Sequence, residues 1–249
     1  MNDVSRETPP ALPEAPASAR GVFSSDRLTL IQRYAESLAT DGVTRGLIGP
    51  REVPRLWERH LLNCGALAEL LPQESSVADI GSGAGLPGLV LAIARPDLRL
   101  TLIEPLLRRT TYLQEVVDEL GLTNVVVVRG KADVLHGKER FDVVTSRAVA
   151  PLERLLTWSM PLVAPTGALV ALKGSAIVDE IEEARPVLRA FGCAEPEVLP
   201  VGEGLIPEPT LAVRIAWADP ARARVVPRVA SASGPRKANG AAKRRSRRS

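Results

Sequence analysis

Residues 77–88 read Val77-Ala78-Asp79-Ile80-Gly81-Ser82-Gly83-Ala84-Gly85-Leu86-Pro87-Gly88, and the remainder of the chain can be organised around them. In this stretch an apolar run with one carboxylate leads into a glycine cluster, and a helical pattern follows. The pattern predicts a strand, a tight turn and the start of a helix. Glycines without Cβ allow such a turn to approach a ligand closely. The turn would lie at the carboxyl end of a parallel strand, where open α/β sheets bind ligands.

The spacing of the glycines indicates which ligand the turn would hold. A dinucleotide loop needs glycines at its first, third and sixth positions, but the sixth position counted from Gly81 is Leu86. Asp79 lies two residues before Gly81, where its charge would oppose a pyrophosphate and could help to hold an amine-bearing ligand. The spacing, with Gly83 at the third position, therefore favours S-adenosylmethionine over NAD as the cofactor. A tight strand–helix turn that binds nothing is the alternative reading.

Composition narrows the class of protein. With 249 residues and 45% hydrophobic content, the chain can form one large domain with a full core. An aromatic content of 3% argues against a surface that stacks many bases. The two cysteines, Cys64 and Cys193, cannot form a disulfide framework and predict a reducing, cytoplasmic location. With His60 and His136 as the two histidines, we expect no metal site, and no apolar run reaches the roughly 18 residues of a membrane span.

Charge is distributed unevenly along the chain. Of the 32 Lys and Arg residues, ten lie in 221–249, which contains no Asp or Glu. The remaining residues therefore carry 22 basic and 29 acidic side chains, so the net charge of +3 is due to the tail. Basic tails of this kind attract nucleic acid, and we expect Arg244 and Arg245 to contact RNA.

Pattern and periodicity predict a single domain between two tails. Residues 1–21 read as a disordered leader, residues 22–218 as one domain, and residues 219–249 as a disordered basic tail. The domain would consist of a helical cap at 25–71 and a Rossmann-like core at 75–217. The cap would contain a helix from Ser25 to Gly42 and a second from about Arg51 to Leu71. The predicted strands are 77–80, 100–104, 125–128, 141–145, 167–172, 195–201 and 211–216. Strands that alternate with helices predict an α/β fold with a mostly parallel, doubly wound sheet.

Two acidic positions suit the nucleoside part of a cofactor. Glu104 ends the second strand, where an acid can accept hydrogen bonds from ribose hydroxyls. Its alternative is an exposed carboxylate favoured by the dipole of the following helix. Asp133, after Lys131 and Ala132, could accept the exocyclic amine of adenine while a backbone N–H reads a ring nitrogen. Its alternative is a helix cap or a solvated side chain.

Basic residues end the fourth and fifth strands. Arg147 lies where the reactive methyl group would be, and it could hold the cofactor carboxylate, a phosphate or a base edge. A plain ion pair is its alternative. Lys173 could contact substrate or reach solvent. On the second cap helix, Arg59 could point over the glycine turn, whereas His60 is better explained as a satisfied core histidine than as a catalytic base. No arrangement of residues suggests nucleophilic catalysis.

Together these motifs resemble one family. The segments Trp57-Glu58-Arg59-His60, Asp79 to Gly88, Ser146-Arg147-Ala148 and Leu172-Lys173-Gly174 make the chain, over about Ser25–Trp217, similar to the RsmG (GidB) methyltransferases of bacteria. The resemblance implies a class I, S-adenosylmethionine-dependent, Rossmann-like fold, and it implies cofactor contacts at Gly81, Leu86, Ala132, Asp133 and Arg147. Two departures are visible: Asn63-Cys64 stands where the family has Asp-Ser, and Leu86 stands where members often have phenylalanine.

The resemblance also implies an activity, which is methyl transfer to N7 of a guanine in 16S ribosomal RNA. Guanine N7 has an in-plane lone pair, so the absence of an obvious base suits this chemistry. We expect Arg147 to orient the cofactor or the base and Lys173 to hold an RNA phosphate. The partner would be 16S ribosomal RNA within the small ribosomal subunit, with no obligate protein partner. The alternatives are a methyltransferase of the same fold acting on a small molecule or a protein, and a nucleic-acid-binding protein that has lost cofactor binding.

Overall fold

A computed structural model describes residues 11–224 of the chain. Seven strands form one sheet and helices cover both of its faces. The strands are β1 (Ser76–Ile80), β2 (Arg99–Glu104), β3 (Val125–Arg129), β4 (Phe141–Thr145), β5 (Val163–Lys173), β6 (Glu197–Val201) and β7 (Thr210–Ala216). The α-helices are α1 (Ala19–Val22), α2 (Ser25–Ser37), α3 (Asn63–Ala66), α4 (Gly88–Ala94), α5 (Leu107–Leu120), α6 (Leu152–Ser159) and α7 (Ile177–Phe191).

The order of the strands across the sheet is β3-β2-β1-β4-β5-β7-β6. Strands β1 to β5 are parallel, and β7 runs antiparallel to both β5 and β6. The predicted mostly parallel, doubly wound sheet is therefore confirmed. The chain leaves β1 towards β2 on one side and returns to β4 on the other, so the strand order reverses between β1 and β4. Ligands of open α/β sheets bind at such a switch point, and the glycine turn lies there.

The core has two layers because each face of the sheet is covered separately. On one face, Val77 of β1 and Leu102 of β2 pack with buried residues of the helical cap, α4 and α5, among them Leu61. On the other face, Ala78 of β1 packs with residues of α6 and α7, among them Leu155. Adjacent strand residues thus face different layers, as expected for a parallel sheet buried on both sides.

The second cap helix is not the continuous α-helix that its periodicity predicts. A 3₁₀ segment at Pro50–Arg55 is followed by a π-helical segment at Leu56–Leu62, by α3, and by a 3₁₀ segment at Leu67–Leu70. Pro54 lies inside the first segment and lacks the N–H that an α-helical ladder would need there. The π-helical segment holds a wider turn, and its inward-facing residues Trp57, His60 and Leu61 are buried.

The N-terminal boundary also differs from the prediction. Within the described part of the leader, α1 buries Ala19, and Phe23 just after it is 1% exposed. The indole Nε1 of Trp57 donates a hydrogen bond to the carbonyl oxygen of Pro13 at 3.1 Å. The prediction that the whole of 1–21 is disordered is thus wrong for residues 11–21, and residues 1–10 lie outside the described range. The order of this segment cannot be predicted from its Pro/Ala-rich composition, because its contacts are made with the distant cap and not within the segment.

The C-terminal boundary lies beyond the predicted residue 218. Residues Pro220–Arg224 form a 3₁₀ segment in which Ala223 is fully buried. The guanidinium of Arg140 donates a hydrogen bond to the carbonyl oxygen of Ala223, which ties this segment to the sheet. The rest of the predicted basic tail, including Arg244 and Arg245, lies outside the described residues. Among the helices described, none combines the length and the hydropathy needed to cross a lipid bilayer.

Candidate cofactor and substrate site

The glycine turn is fixed to the carboxyl end of the sheet by backbone hydrogen bonds. The N–H groups of Gly81 and Ser82 both donate to the carbonyl oxygen of Ile103, at 2.8 and 3.3 Å. The φ angles of Gly81, Gly83 and Gly85 are 70°, 59° and 100°, in the region that disfavours side chains. The predicted strand, turn and helix start are therefore all present. Leu86, which follows the turn, is 5% exposed and belongs to the core.

Asp79 is a buried carboxylate with spare hydrogen-bonding capacity. It is fully buried, and its Oδ2 accepts a hydrogen bond from the backbone N–H of Gly88 at 3.0 Å. Its Oδ1, like the Oγ1 of Thr145 in register with it on β4, has no hydrogen-bond partner among residues 11–224. Burial raises the pKa of the Asp79 carboxyl to about 7, in spite of the hydrogen bonds and the Arg147 charge that lower it. A buried acceptor of this kind suits an amine-bearing ligand, because ligand N–H groups would satisfy it.

Glu104 ties the glycine turn to the start of α5. Its side chain is 1% exposed, so the alternative of an exposed carboxylate is wrong. Its Oε2 accepts the N–H of Gly83 and its Oε1 accepts the N–H of Leu106, both at 3.0 Å, and Arg109 Nη1 lies 3.5 Å from Oε2. Each carboxylate oxygen can accept a second hydrogen bond. The contact with ribose hydroxyls stays a prediction that this geometry permits.

The predicted adenine-binding pair lies at the same edge of the sheet. After β3, the N–H of Gly130 donates to the carbonyl oxygen of Glu104 at 3.1 Å, which brings the next turn beside the second strand. Ala132 then begins a short 3₁₀ segment, Ala132–Leu135, and is buried. Asp133 is exposed. Its contact with adenine stays a prediction.

Arg147 lies in the wall of a cavity of about 580 Å³ at the carboxyl ends of β4 and β5. The backbone just before Arg147 is held in place by β5, because the N–H of Leu172 donates a hydrogen bond to the carbonyl oxygen of Ser146 at 3.2 Å. The lining residues are Arg59, His60, Asn63, Arg147, Ala148, Val149, Ala150, Pro151, Leu172, Lys173, Gly174, Glu180 and Thr210. The structure thus brings together three of the basic residues that the sequence analysis selected, Arg59, Arg147 and Lys173.

His60 connects Arg147 to the cap, and sequence reasoning missed this contact. Arg147 Nη1 lies 2.7 Å from His60 Nδ1, and His60 Nε2 lies 2.8 Å from Glu52 Oε2. Eight residues separate Glu52 from His60, which on a regular α-helix would put them about 80° and 12 Å apart. The periodicity of the sequence predicts such a regular helix, whereas the break into 3₁₀ and π-helical segments brings the pair together.

Arg59, in contrast, faces solvent. Its side chain is 53% exposed and its guanidinium makes an ion pair with Glu52 Oε1 at 3.3 Å. It also lines a second groove next to the cavity, together with Arg55 and Glu208. The predicted RNA contact of Arg59 stays a prediction, and exposure at the mouth of the cavity is compatible with it.

Lys173 lies largely buried at the cavity, and its predicted contact with substrate stays a prediction. Its side chain is 9% exposed, so it does not simply reach solvent. Its Nζ donates to Glu180 Oε2 at 2.6 Å and to the carbonyl oxygen of Ala150 at 3.0 Å. Glu180 Oε2 also accepts the N–H of Leu152 at 2.8 Å. In this structure the ammonium group therefore fixes the loop after β4, and a phosphate contact would have to compete with Glu180.

The loop after β4 lies directly against the glycine turn. A Cβ added to Gly81 would lie 3.0 Å from Val149 Cγ2. Ala148, one residue earlier, has a φ of 53°, which is uncommon for a residue with a side chain. The loop thus connects the predicted cofactor turn with the cavity that Arg147 lines.

The two cysteines are poorly suited to nucleophilic catalysis. Burial raises the pKa of the Cys64 thiol to about 11 and that of Cys193 to about 12, which disfavours the nucleophilic thiolate at neutral pH. Within the described part of the chain, potential metal ligands do not gather in groups of three or more.

Comparison with known proteins identifies the family. The GidB family, described as rRNA small subunit methyltransferase G, matches residues 27–202. The chain belongs to this family. A protein from Nocardioides sp. named ribosomal RNA small subunit methyltransferase G is 66% identical over 221 residues, which cover 89% of this chain and 87% of the relative. A protein of the same name from Streptomyces avermitilis is 55% identical over 205 residues, which cover 82% of this chain and 86% of the relative. The resemblance drawn from the motifs is confirmed.

A solved structure supports the fold independently. The crystal structure of M. jannaschii TYW2 in complex with AdoMet matches this member of the GidB family with a TM-score of 0.51 at 19% sequence identity. The match covers 65% of this chain and 76% of the other. At this identity the match shows the shared Rossmann-like architecture.

Proposed function

We propose that this protein transfers a methyl group from S-adenosylmethionine to N7 of a guanine in 16S ribosomal RNA of the small ribosomal subunit. The observation that carries the proposal is one juxtaposition in a member of this family. A glycine turn with two buried carboxylates, Asp79 and Glu104, adjoins an open cavity in whose wall Arg147 lies. Relatives that match most of the chain carry the name of ribosomal RNA methyltransferases.

The residues of the turn fit S-adenosylmethionine chemically. The unsatisfied Oδ1 of Asp79 would accept from its amino group, Glu104 from its ribose hydroxyls, and Asp133 with the neighbouring Ala132 would hold its adenine. Gly81, with a φ of 70°, gives the turn the backbone conformation that lets its main chain approach the ligand. When bound, S-adenosylmethionine supplies a methyl group that is activated by a sulfonium centre.

The side chains of the cavity fit an attack that needs no general base. Guanine N7 attacks with a lone pair that already lies in the plane of the ring, so no residue has to remove a proton first. Both ring nitrogens of His60 are occupied by Arg147 and Glu52, which leaves no free nitrogen to act as a base. What the protein must supply is orientation, which can contribute about 7–11 kcal/mol when the reacting atoms are held in line.

Arg147 is suited to hold the target nucleotide. Arginine usually reads guanine through O6 and N7 together, but N7 must remain free to react. A contact of the Arg147 guanidinium with O6 or with the adjoining phosphate would orient the base and leave N7 open. Its planar fork suits either acceptor.

Transfer of a labelled methyl group tests the proposal. The purified protein is incubated with methyl-labelled S-adenosylmethionine and, in parallel, with small subunits lacking the modification, with free 16S ribosomal RNA and with bulk protein. We expect label in ribosomal RNA, and nuclease digestion with mass spectrometry should find it in 7-methylguanosine. Label in protein, or at another atom of the RNA, would overturn the proposal. Comparison of subunits with free RNA shows which is the preferred substrate.

A further inference from the structure

A line of three side chains runs from the surface of the cap to the cavity. Glu52 lies in the 3₁₀ segment Pro50–Arg55, His60 in the π-helical segment Leu56–Leu62, and Arg147 just after β4. The side chain of His60 is 10% exposed and that of Glu52 30%. The contacts on either side of the imidazole are 2.8 Å to Glu52 and 2.7 Å to Arg147. Both distances are short enough for hydrogen bonds to charged partners.

The partners of His60 allow one tautomer of the neutral ring. An arginine guanidinium is always charged and can only donate, so Nδ1 must accept from Arg147 and carry no proton. An ionised carboxylate can only accept, so Nε2 must donate to Glu52. The hydrogen bond from His60 lowers the pKa of the Glu52 carboxyl, which keeps it ionised at neutral pH. A ring with the proton on Nδ1 would lose both hydrogen bonds.

We propose that His60 is a positioning residue for methyl transfer: its neutral Nε2–H tautomer, fixed by Glu52, holds the guanidinium of Arg147 in place at the cavity. The inference rests on the proposed function in so far as Arg147 contacts the RNA. It assigns to the cap a task beyond covering one face of the sheet. The Arg147 side chain has enough rotatable bonds to turn away from the cavity, and its hydrogen bond to the imidazole restricts that movement.

The same geometry predicts how acid acts on the site. The charged groups that face His60 are Glu52, Arg59 and Arg147. Protonation would place a hydrogen on Nδ1, directly opposite the Arg147 guanidinium, and would break that hydrogen bond. Burial, followed by the charge of Arg147, lowers the pKa of His60 below its ordinary value of 6.5. The hydrogen bond is therefore intact at neutral pH and breaks as the pH falls through the lowered pKa.

Nuclear magnetic resonance tests the geometry without an activity assay. The chain has two histidines, so ¹⁵N-labelling of histidine in the full-length protein yields two ring systems, which His136→Gln separates. We expect His60 to carry its proton on Nε2. Arg147→Ala should raise the pKa of His60 because it removes a positive neighbour. Glu52→Gln should lower that pKa because it removes a negative one. A proton on Nδ1 in the wild-type protein, or two pKa shifts of the same sign, would overturn the inference.

Two variants of His60 test the consequence for catalysis. His60→Asn retains an oxygen close to the position of Nδ1, and His60→Phe fills the space without an acceptor. We expect His60→Phe to lower kcat/KM for the small subunit about 10- to 100-fold, the effect of losing a hydrogen bond to a charged group. His60→Asn should retain most of the activity. The affinity for S-adenosylmethionine, measured by calorimetry, should stay within about twofold of the wild-type value in both variants. This is well below the tenfold change that corresponds to about 1.4 kcal/mol.

Each result bears on one of the two proposals. Unchanged kcat/KM in His60→Phe, or a loss in His60→Asn as large as that in His60→Phe, would overturn the positioning role while the proposed function stands. If the wild-type protein methylates no RNA, the proposed function fails. The inference about His60 is then judged by the tautomer and by the opposite pKa shifts, which need no substrate.

Discussion

At the scale of single residues, Asp79 combines burial with a charge that the fold does not fully satisfy. Its folded pKa of about 7 lies above the ordinary value of 3.8. Between these values the folded state holds a proton that the unfolded chain has lost, so ionisation of Asp79 opposes folding as the pH rises. A buried carboxylate whose ionisation lowers stability in this way is typical of functional sites.

We predict that a rise in pH from about 4 to about 7 destabilises Asp79→Asn less than the wild-type protein. As the pH rises from about 4 to about 7, the free energy of unfolding of the wild type should fall relative to that of the variant. The fall is about 1.4 kcal/mol for each pH unit in this range. Above about pH 7 the difference should become constant. Urea unfolding of both proteins at several pH values measures it.

Asp142→Asn is the matched control with the opposite sign. Hydrogen bonds from Ser76 lower the pKa of the Asp142 carboxyl below its ordinary value. Its contribution to stability is therefore present at neutral pH and is lost as the pH falls through the lowered pKa. Parallel stability curves for Asp79→Asn and the wild type would contradict the buried, proton-holding state of Asp79.

Gly81→Val should abolish cofactor binding. The residue has a φ of 70°, and a Cβ there would lie 3.0 Å from Val149, so a branched side chain presses on the loop after β4 at the turn itself. We expect calorimetry to show a large loss of S-adenosylmethionine affinity while the circular dichroism spectrum remains that of a folded protein.

Gly121→Val is the control for backbone strain. Gly121 ends α5 with a φ of 65°, and a Cβ there would meet nothing within 4 Å. The two variants carry similar strain, but Gly121 lies before β3, at the edge of the sheet opposite the turn. Equal affinities in Gly81→Val and Gly121→Val would place the cofactor elsewhere.

Arg147→Ala should remove most of the activity. Loss of its contact with the nucleotide should lower kcat/KM about 10- to 100-fold, with a change in stability on the order of 1 kcal/mol. Lysine should restore little, because an ammonium cannot reproduce the planar fork. Steady-state methylation of small subunits measures both variants. Arg154→Ala, on α6 where Arg154 stacks over Trp158, is the matched control and should retain wild-type turnover. Wild-type turnover in Arg147→Ala would remove Arg147 from the site.

At the scale of elements, the N-terminal segment acts as part of the cap. The ring of Phe23 packs where Gly65 of α3 has no side chain, since a Cβ on Gly65 would lie 3.1 Å from Phe23 Cζ. Close packing of this kind explains how a short helix can be held in place without strong helical propensity. The cap in turn places His60 against Arg147, so the segment supports the site from a distance.

Phe23→Ala should therefore destabilise the whole domain. Truncating a fully buried aromatic residue costs about 3–5 kcal/mol, and Phe23→Leu should cost less because it leaves a smaller cavity. Thermal unfolding followed by tryptophan fluorescence measures both. A change of less than about 1 kcal/mol in Phe23→Ala would mean that the segment is not packed in solution as described.

The loop after β4 and the end of β5 behave as one element. Lys173 and Glu180 together hold Ala150 and Leu152, and Val149 of the same loop lies against Gly81. A movement of this loop at the cavity would therefore also be felt at the glycine turn, a few residues away along the backbone.

At the scale of the whole molecule, basic residues are concentrated in the C-terminal segment, outside the domain that contains the candidate site. The eight Lys and Arg residues of 225–249 carry most of the basic excess, whereas the rest of the chain is acidic on balance. Such a tail adds attraction to RNA that does not depend on sequence. Because Ala223 is buried, a deletion that tests the tail has to begin after Arg224.

Deletion of 225–249 should weaken binding to the small subunit at low salt and flatten its salt dependence. Each phosphate that the tail no longer neutralises should reduce the log–log slope by about 0.7 to 0.9. The affinity for S-adenosylmethionine and the identity of the methylated base should not change. Replacement of the eight basic residues by glutamine, at full length, should have the same effect as the deletion. Equal salt slopes for all three proteins would favour a tail that serves only solubility.

Features that depend on local sequence pattern could be predicted without the structure. Alternation of short apolar strands with helical periodicity predicted the sheet. The run from Asp79 to Gly88 predicted the strand, turn and helix start, because the conformational demands of a tight turn fall on neighbouring residues. The same motifs, with Arg147 and Lys173, predicted the family that the comparisons then confirmed.

Contacts between side chains that are distant in sequence could not be predicted in this way. His60 and Arg147 are 87 residues apart, and the helical periodicity of the cap gives no sign of the break that places His60. Lys173 pairs with Glu180 and does not reach solvent, and the burial of Ala19 makes part of the predicted leader contribute to the core. These contacts depend on the packing of elements against both faces of the sheet, and packing depends on shape and volume in three dimensions, which local pattern does not encode.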